Sequence, residues 1–596
     1  MTGSDGAAVE RAPATDAAAA LLGALVARGV RHVVLSPGSR SQALALVAAE
    51  LERRGLIRLH VRIDERVAGF TALGIGRESG SPAAVICTSG TAVANLLPAV
   101  LEAHHSGVPL LLLTADRPPE LRGIGANQAT RQPGMFSGFV RFELDVATPG
   151  DVDPDGNGPE AGELRALAAD AVTAARGTAS RPAGPVHLNL PYRNPLSGAL
   201  PPWLADAAEA TETDAALDTF DDAASGAHYQ GGGGIGEAEE SPVDDAPVVL
   251  ARGPRTIVVA GADAGPGAEE VAHLGAWPLI AEIVSGARFG RNLVHGYRSV
   301  LGHPELVDAI ERVVVFGHPT LSREVVALLS RRDVAVIAVT GPGEALNLNG
   351  ETVAAPAVVV ADGEPDRAWL GAWMRASRAA SVDLSPAAPD VDGLASAVPQ
   401  ERLGAISAEV AVLRAPVDRG ALVDAVWRAS WPHDRLVFAS SRLVRVADSV
   451  LGGKKVPVHA NRGLAGIDGI VATGIGVALA SQDGSAAGVT RVLAGDLSLL
   501  HDVGALLLPG AEHEPRIQVI VGNDGGGTIF DGLEVADTAP REAADRVLLT
   551  PHETRLEQLA LAYGWEYRRV TTRSALDQAL TSPVGGRQLI EVPLTR

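Results

Sequence analysis

The sequence predicts an α/β protein of three domains in series, each a mainly parallel sheet flanked by helices. Three observations carry this. Short apolar, β-rich runs closed by Gly, Ser or Pro alternate with helix-period segments, the pattern of βαβ units. The same alternation starts afresh twice further along the chain. Finally, 596 residues of which 46% are hydrophobic exceed what one core accommodates and call for roughly three domains of ordinary size.

In chain order, the first set of strands is VVLSPGSR (33–40), LIRLHVRID (56–64), AAVICTSG (83–90) and PLLLLTADRP (109–118), giving a domain over 1–205. Residues 206–250 are acidic, rich in small residues and carry four consecutive glycines; they bury too little apolar surface to order themselves and read as a flexible linker. Strands return at TIVVAGA (256–262), ERVVVFG (311–317) and VAVIAVTG (334–341), a central α/β domain over 251–385. An Ala/Pro-rich stretch, 386–412, reads as a second linker. The third domain, 413–596, holds RLVFASS (435–441), VPVHANRG (456–463), TRVLAGD (490–496) and RIQVIVGND (516–524).

A formal charge of −21 disfavours nucleic acid and anionic membranes as partners, while leaving room for a basic cleft that takes small anions. Cys87 is the single cysteine, so neither an intrachain disulfide nor a multi-cysteine metal site can form. The N-terminus lacks the basic start and apolar core of a signal peptide, and no run of about 18 or more apolar residues occurs. These features imply a cytoplasmic protein without membrane insertion.

The strongest chemical signal is in the third domain. Gly495-Asp496 ends one apolar strand and Asn523-Asp524-Gly525 ends the next, an interval that fits strand, crossover helix and return strand. Both polar groups then fall at the carboxyl ends of parallel strands, where open α/β sheets bind ligands. A carboxylate and an amide oxygen, with a backbone carbonyl near Gly525 as third donor, suit Mg²⁺ holding a diphosphate. The glycines at 525–527 let the backbone approach that diphosphate. Either dipeptide alone is an ordinary strand-end turn. Together at this spacing they resemble the diphosphate-binding motif of thiamine-diphosphate enzymes.

Such an enzyme needs a glutamate against the aminopyrimidine ring, and Glu65 in HVRIDERVAGFTALG is the candidate; the competing account makes Asp64-Glu65 a helix cap. Because Glu65 and the metal motif lie in different domains, the cofactor must bridge them. In thiamine enzymes that bridge usually crosses a subunit interface, which implies a homodimer or dimer of dimers with shared sites.

Longer motifs narrow the family. LSPGSRSQAL (35–44), IDERVAGFTALG (63–74), TSGTAVANLLPAV (88–100), LTADRPPELRGIGANQATRQPGMF (113–136), ANRGLAGIDG (460–469) and AGDLSLLHDVGAL (494–506) resemble the menaquinone-pathway 2-succinyl-5-enolpyruvyl-6-hydroxy-3-cyclohexene-1-carboxylate synthases. The likeness is weaker through the central domain and absent from the first linker. It implies a three-domain thiamine-diphosphate-enzyme architecture, decarboxylation of 2-oxoglutarate and addition of the succinyl unit to isochorismate. Thiamine diphosphate and Mg²⁺, with Mn²⁺ as a substitute ion, are the implied cofactors. By motif position the resemblance assigns Glu65, Gln128, Ile467, Gly495, Asp496, Leu497, Ser498, Asn523 and Gly525 to the cofactor, with Asp496, Asn523 and Gly525 as metal ligands. To the substrates it assigns Ser39, Arg40, Arg117, Gln128, Arg323, Ser441, Arg445 and Arg462. Both substrates are dicarboxylates, and arginine's planar fork pairs bidentately with a carboxylate and keeps its charge when desolvated. By the same resemblance Ile467 corresponds to the bulky residue that props the cofactor in its bent shape, with an ordinary core isoleucine as the competing account.

Other classes fit less well. A different thiamine enzyme acting on 2-oxo acids, a decarboxylase or acetohydroxyacid synthase, shares Glu65 and the metal motif but not the SPGSRS and TADRPPELR arginines. A degenerate binding module has no reason to keep Glu65, Asp496 and Asn523 together. A nicotinamide dehydrogenase lacks its glycine fingerprint, and no G-x-x-x-x-G-K-[ST] loop is present. His104, His105, His459 and His501 fall in no catalytic pattern and read as structural or surface residues.

Overall fold

A computed structural model describes residues 10–150, 161–178, 181–205, 246–484 and 488–596. The chain groups into two compact units. One holds the N-terminal region together with Ile475–Ser481 and Leu507–His513; the other holds the central and C-terminal sheets.

The first unit is built on a six-stranded sheet: β1 (His32–Leu35), β2 (Arg58–Val61), β3 (Ala83–Cys87), β4 (Leu110–Asp116), β5 (Phe142–Asp145) and β6 (Pro185–Pro191). Its order is β2-β1-β3-β4-β6-β5 and every pairing is parallel. β1, β3, β4 and β6 are buried along their whole length, as parallel strands covered on both faces must be. Helices Pro13–Ala27, Gln42–Arg53 and Ala161–Arg176 supply apolar faces to that core.

β5 and β6 are absent from the sequence expectation, and β6 shows why. Its His187 and Asn189 interrupt the apolar run but are satisfied inside the protein. His187 bridges Thr114 Oγ1 (2.7 Å) and Glu143 (2.8 Å), while Asn189 donates to Asp116 (2.9 Å) and accepts from Gln132 (2.8 Å).

In the second unit a five-stranded parallel sheet runs in the order β12-β11-β10-β8-β9. Its strands are β8 (Thr256–Ala260), β9 (Leu279–Ala281), β10 (Arg312–Phe316), β11 (Ala335–Val339) and β12 (Val353–Ala355), beside a two-stranded ribbon of β7 (Val248–Leu250) and β13 (Val358–Val360). The C-terminal sheet comprises β14 (Arg435–Phe438), β15 (Val458–Ala460), β16 (Thr490–Gly495), β17 (Ile517–Asn523), β18 (Glu566–Arg569) and β19 (Arg587–Pro593), in the order β15-β14-β16-β17-β19-β18. Strand for strand, that is the order of the first sheet.

The linker expectations change at their edges. Residues 206–245 lie outside the described residues, but Val248–Leu250, assigned to the first linker, is strand β7. The second linker, 386–412, is largely helical: Val391–Ala395 and Pro399–Arg414 form helices, each started by a conformationally suited residue, the Asp390 side chain as cap and Pro399 at the first helical position. Its Ala-rich composition is good helix sequence, and the apolar stripe Leu403, Ile406, Val410, Leu413 stays exposed. No helix among the described residues is long and apolar enough to cross a membrane.

Candidate active site

Strand order reverses between β1 and β3 in the first sheet and between β14 and β16 in the C-terminal sheet. Open parallel sheets leave a crevice beyond the carboxyl ends of the strands at such a reversal. Most of the expected site residues fall at these two places; Arg323, which follows β10 of the central sheet, does not.

In the first unit, Ser39 is exposed in the loop after β1, and Arg40 turns back across the sheet edge to donate to the Tyr192 carbonyl (2.9 Å). Gly38 is needed there because a Cβ would stand 2.2 Å from Cβ of Thr88, the residue after β3. Arg117, just past β4, donates to the Asn127 carbonyl (3.1 Å) and to Ser89 Oγ (3.2 Å). Burial first, then the charge of Arg117, lowers the Arg40 pKa. Gln128 takes a positive φ of 57° and closes the loop by donating to the Ser89 carbonyl (2.9 Å) while its own carbonyl accepts from Ser89 Oγ (3.0 Å).

Glu65 begins the helix Glu65–Ser79 that follows β2. Capping falls to its neighbour, since Asp64 Oδ1 accepts from the Arg66 and Val67 amides at 2.9 and 3.3 Å. The two carboxylates are thereby divided, and the half-buried Glu65 stays out of the cap. Its charge is felt at the end of β3, where burial and then Glu65 push the Cys87 thiol up. Glu512, in a segment of the same unit, fixes the approach to this helix by accepting from Val61 N (2.6 Å) and Arg62 Nη1 (2.9 Å).

At the C-terminal sheet, β16 and β17 are neighbours in register, so Asp496 and Asn523 leave the same edge from adjacent strands. Asp496 is buried; its Oδ2 accepts from Gly526 N (2.8 Å) and His552 Nε2 (3.0 Å), and its Oδ1 from Leu497 N (2.8 Å). Burial, reinforced by the nearby Asp524 charge, raises the Asp496 pKa, and a cation at this point would offset both effects. Asn523 donates to Glu591 (2.8 Å), which orients its amide so that Oδ1 faces the Gly525 amide (3.2 Å). Asp524 is taken up elsewhere, by Arg419 (2.6 Å) and Thr528. The donor set is therefore all oxygen, with one carboxylate, one amide and the adjoining backbone, and fits Mg²⁺. Leu497 and Ser498 open the helix Asp496–His501 behind Gly495. A cavity of about 530 Å³ adjoins the glycine loop, lined by Arg442, Gly527, Phe530, Asp531 and Arg541 among others.

The loop's glycines are required by shape. Gly525 and Gly526 have φ of 77° and 147°, and a Cβ on Gly526 would stand 2.3 Å from the Leu549 carbonyl oxygen. Gly526→Ala is expected to lower the unfolding free energy by about 1–3 kcal/mol, the usual cost of a strained backbone position. Chemical denaturation with an unchanged midpoint would refute this.

Ser441 caps the helix Arg442–Val450 and lies across the β14/β16 reversal, 3.6 Å from where a Cβ on Gly495 would be. Arg445, on that helix, is exposed and has its pKa lowered by burial of part of its side chain, then by Arg298 and Arg323. Arg323 extends into solvent and pairs with Glu534. Arg462 is buried and donates to Thr320 Oγ1 from Nε (2.9 Å) and Nη2 (2.7 Å), and to Ser440 Oγ (3.2 Å). Ile467 is 39% exposed, which removes the account of it as an ordinary core residue. His552, Thr320, Ser440 and Glu591 escaped the sequence reading. Each lies far along the chain from its partner, and none stands in a motif that marks it.

A parallel-sheet protein with oxygen donors and a glycine cradle at one reversal point, and a glutamate with paired arginines at another, has the form of a thiamine-diphosphate enzyme. Residues 15–135 match the family model for the thiamine pyrophosphate enzyme N-terminal TPP binding domain. Over almost its whole length the chain is similar to proteins named 2-succinyl-5-enolpyruvyl-6-hydroxy-3-cyclohexene-1-carboxylate synthase. The relative from Clavibacter michiganensis is 55% identical, covering 98% of this chain and 97% of the relative. The one from Leifsonia xyli is 52% identical with the same coverage, and that from Kineococcus radiotolerans is 41% identical over 98% and 96%. The chain belongs to the 2-succinyl-5-enolpyruvyl-6-hydroxy-3-cyclohexene-1-carboxylate synthase family of thiamine-diphosphate-dependent transferases in menaquinone biosynthesis.

Proposed function

We propose that this enzyme decarboxylates 2-oxoglutarate with thiamine diphosphate and Mg²⁺ and adds the succinyl unit to isochorismate, giving 2-succinyl-5-enolpyruvyl-6-hydroxy-3-cyclohexene-1-carboxylate. The observation that supports this best is the pairing of Arg40 and Arg117 at the sheet edge that also carries Glu65. Both are tied to consecutive residues after β3, Arg40 through its amide to Thr88 Oγ1 (3.3 Å) and Arg117 through Nη1 to Ser89 Oγ (3.2 Å), a placement suited to a multiply charged carboxylate ligand.

When bound, thiamine diphosphate supplies the electron sink for the carbon that loses CO₂. The chain's own residues do the rest. Glu65 holds and shares a proton with the cofactor's aminopyrimidine ring. Asp496, Asn523 and a carbonyl at Gly525 hold the Mg²⁺, with Gly495, Leu497 and Ser498 shaping the diphosphate side. Gln128 would close the loop against cofactor and substrate, and Ile467 would prop the cofactor in its bent shape. Arg40, Arg117, Arg445 and Arg462 take substrate carboxylates, with Ser39 and Ser441 as neutral donors beside them. Arg323 joins them by exchanging Glu534 for substrate. We further assign a homodimer or dimer of dimers with shared sites, working in the cytoplasm.

The test is the two-substrate assay. Purified protein with thiamine diphosphate, Mg²⁺, 2-oxoglutarate and isochorismate should yield the adduct, detectable by mass. Consumption of pyruvate with no adduct from these substrates would place the protein with another thiamine-dependent 2-oxo acid enzyme instead.

A further inference from the structure

Glu282 follows β9 and is completely buried. Its Oε1 accepts from the amides of Thr320 (2.9 Å) and Leu321 (2.7 Å), and its Oε2 again from Thr320 N (3.1 Å). Thr320 is in turn the principal anchor of Arg462, receiving Nε and Nη2 on Oγ1 and Nη2 once more on its carbonyl (3.3 Å). A carboxylate thus grips the turn that grips the guanidinium.

We propose that Glu282 is a positioning residue for Arg462, fixing the Thr320 turn and through it the position of the guanidinium on the substrate side. This rests on the reading of Arg462 as a substrate contact. The mechanics are direct. Both Thr320 acceptors lie on one residue, so a shift of that turn carries the guanidinium with it. A displacement of about 1 Å at a binding group costs on the order of 10²-fold in rate or affinity.

Electrostatics give the clamp a pH signature. Burial, then the neighbouring Asp448, push the Glu282 carboxyl up to about 8, against the pull of the Leu321 and Thr320 amides and of Arg462. The charged and titratable groups around it are Asp448, Tyr297, Arg288, Arg298 and Arg462. Asp448 is itself held by Arg298 (2.6 Å), Tyr297 (2.5 Å), the Ile283 amide (2.9 Å) and Arg288 (3.4 Å), while Arg288 also donates to the Ala281 carbonyl (2.6 Å). The ionised form makes charge-assisted hydrogen bonds to the turn and the neutral form weaker ones, so the grip on Arg462 tightens as pH rises through this range. The stability effect has the opposite sign. A carboxyl raised above its unfolded value binds its proton more tightly in the folded state, so stability falls from the ordinary carboxylate range up to about pH 8 and is level beyond.

The experiment uses full-length holoenzyme with thiamine diphosphate and Mg²⁺, comparing wild type, Glu282→Gln, Glu282→Leu, Arg462→Gln and the Glu282→Gln/Arg462→Gln pair. For Glu282→Gln the expected result near pH 9 is a roughly tenfold higher KM for one dicarboxylate substrate with kcat much less affected. The wild-type fall in that KM with rising pH should vanish, and the thermal midpoint should be no lower than wild type. Glu282→Leu should raise KM further, and the double variant should add nothing to Arg462→Gln. If Arg462→Gln raises KM while both folded Glu282 variants leave it and its pH profile unchanged, the positioning role is wrong and the Arg462 reading stands. If Arg462→Gln leaves both KM values unchanged, that reading fails and takes the positioning role with it.

Discussion

Glu65→Gln is expected to lower turnover by on the order of 10²–10⁴-fold, the range for losing a positioned acid–base group, while thiamine diphosphate affinity stays within a few-fold. The amide keeps the length and hydrogen-bonding reach of the carboxylate but cannot hold or share the proton. The geometry predicts little collateral damage, because Asp64 supplies the helix cap and Glu65 does not. The thermal midpoint should therefore match wild type within about a degree or two, as for a surface substitution of small effect. Single-turnover kinetics alongside calorimetric titration of the cofactor separate the two quantities. Loss of cofactor binding in step with activity would mean that Glu65 is a binding residue and not the proton-handling group.

Asp496→Ala should fail at the opposite step, with Mg²⁺-dependent cofactor affinity weakened by about 100-fold or more, comparable to removing a charged ligand with its hydrogen bonds. The cofactor-free protein should not suffer. Asp496 sits buried beside Asp524 with its pKa raised, so its charge is a cost to the folded state in the absence of a cation. Above the ordinary carboxylate range the cofactor-free variant should unfold no more easily than wild type, and wild type alone should gain a higher midpoint on adding thiamine diphosphate with Mg²⁺. An equal gain in both proteins would remove Asp496 from the metal site.

The sequence revealed the site's strand-end groups more readily than their supports. Asp496 and Asn523 could be placed because each directly follows an uninterrupted apolar run, and such a run in a βαβ context has one reading. β18, with the sequence EYRR, has no such run, and β19 carries Gln588 and Glu591 inside the sheet, where Gln588 meets Gln518 (2.8 Å) and Glu591 meets Asn523 and Tyr567. Polar residues satisfied across strands erase the local pattern, and the compensating partners are dozens of positions away. The same holds for His552 on Asp496 and Glu282 beneath Thr320. The helices of the Ala/Pro-rich 386–412 linker are hidden for a different reason: its prolines begin or precede helices, where they favour the first turn, and its alanines propagate them.

The first unit recruits Leu507–His513, and through Glu512 it provides the counter-charge to Arg62, whose side chain is 1% exposed. During synthesis the N-terminal sheet therefore emerges several hundred residues before this piece of its own core. Until then it carries a buried guanidinium without its carboxylate, a deficit on the order of 3–5 kcal/mol. An excised fragment ending at residue 205 should be marginal for the same reason, and supplying the later segment in trans should rescue it. The strand that leads into Glu65 is thus set by a residue made 451 positions later, so a polypeptide that stops short of it has no finished glutamate end to offer a cofactor.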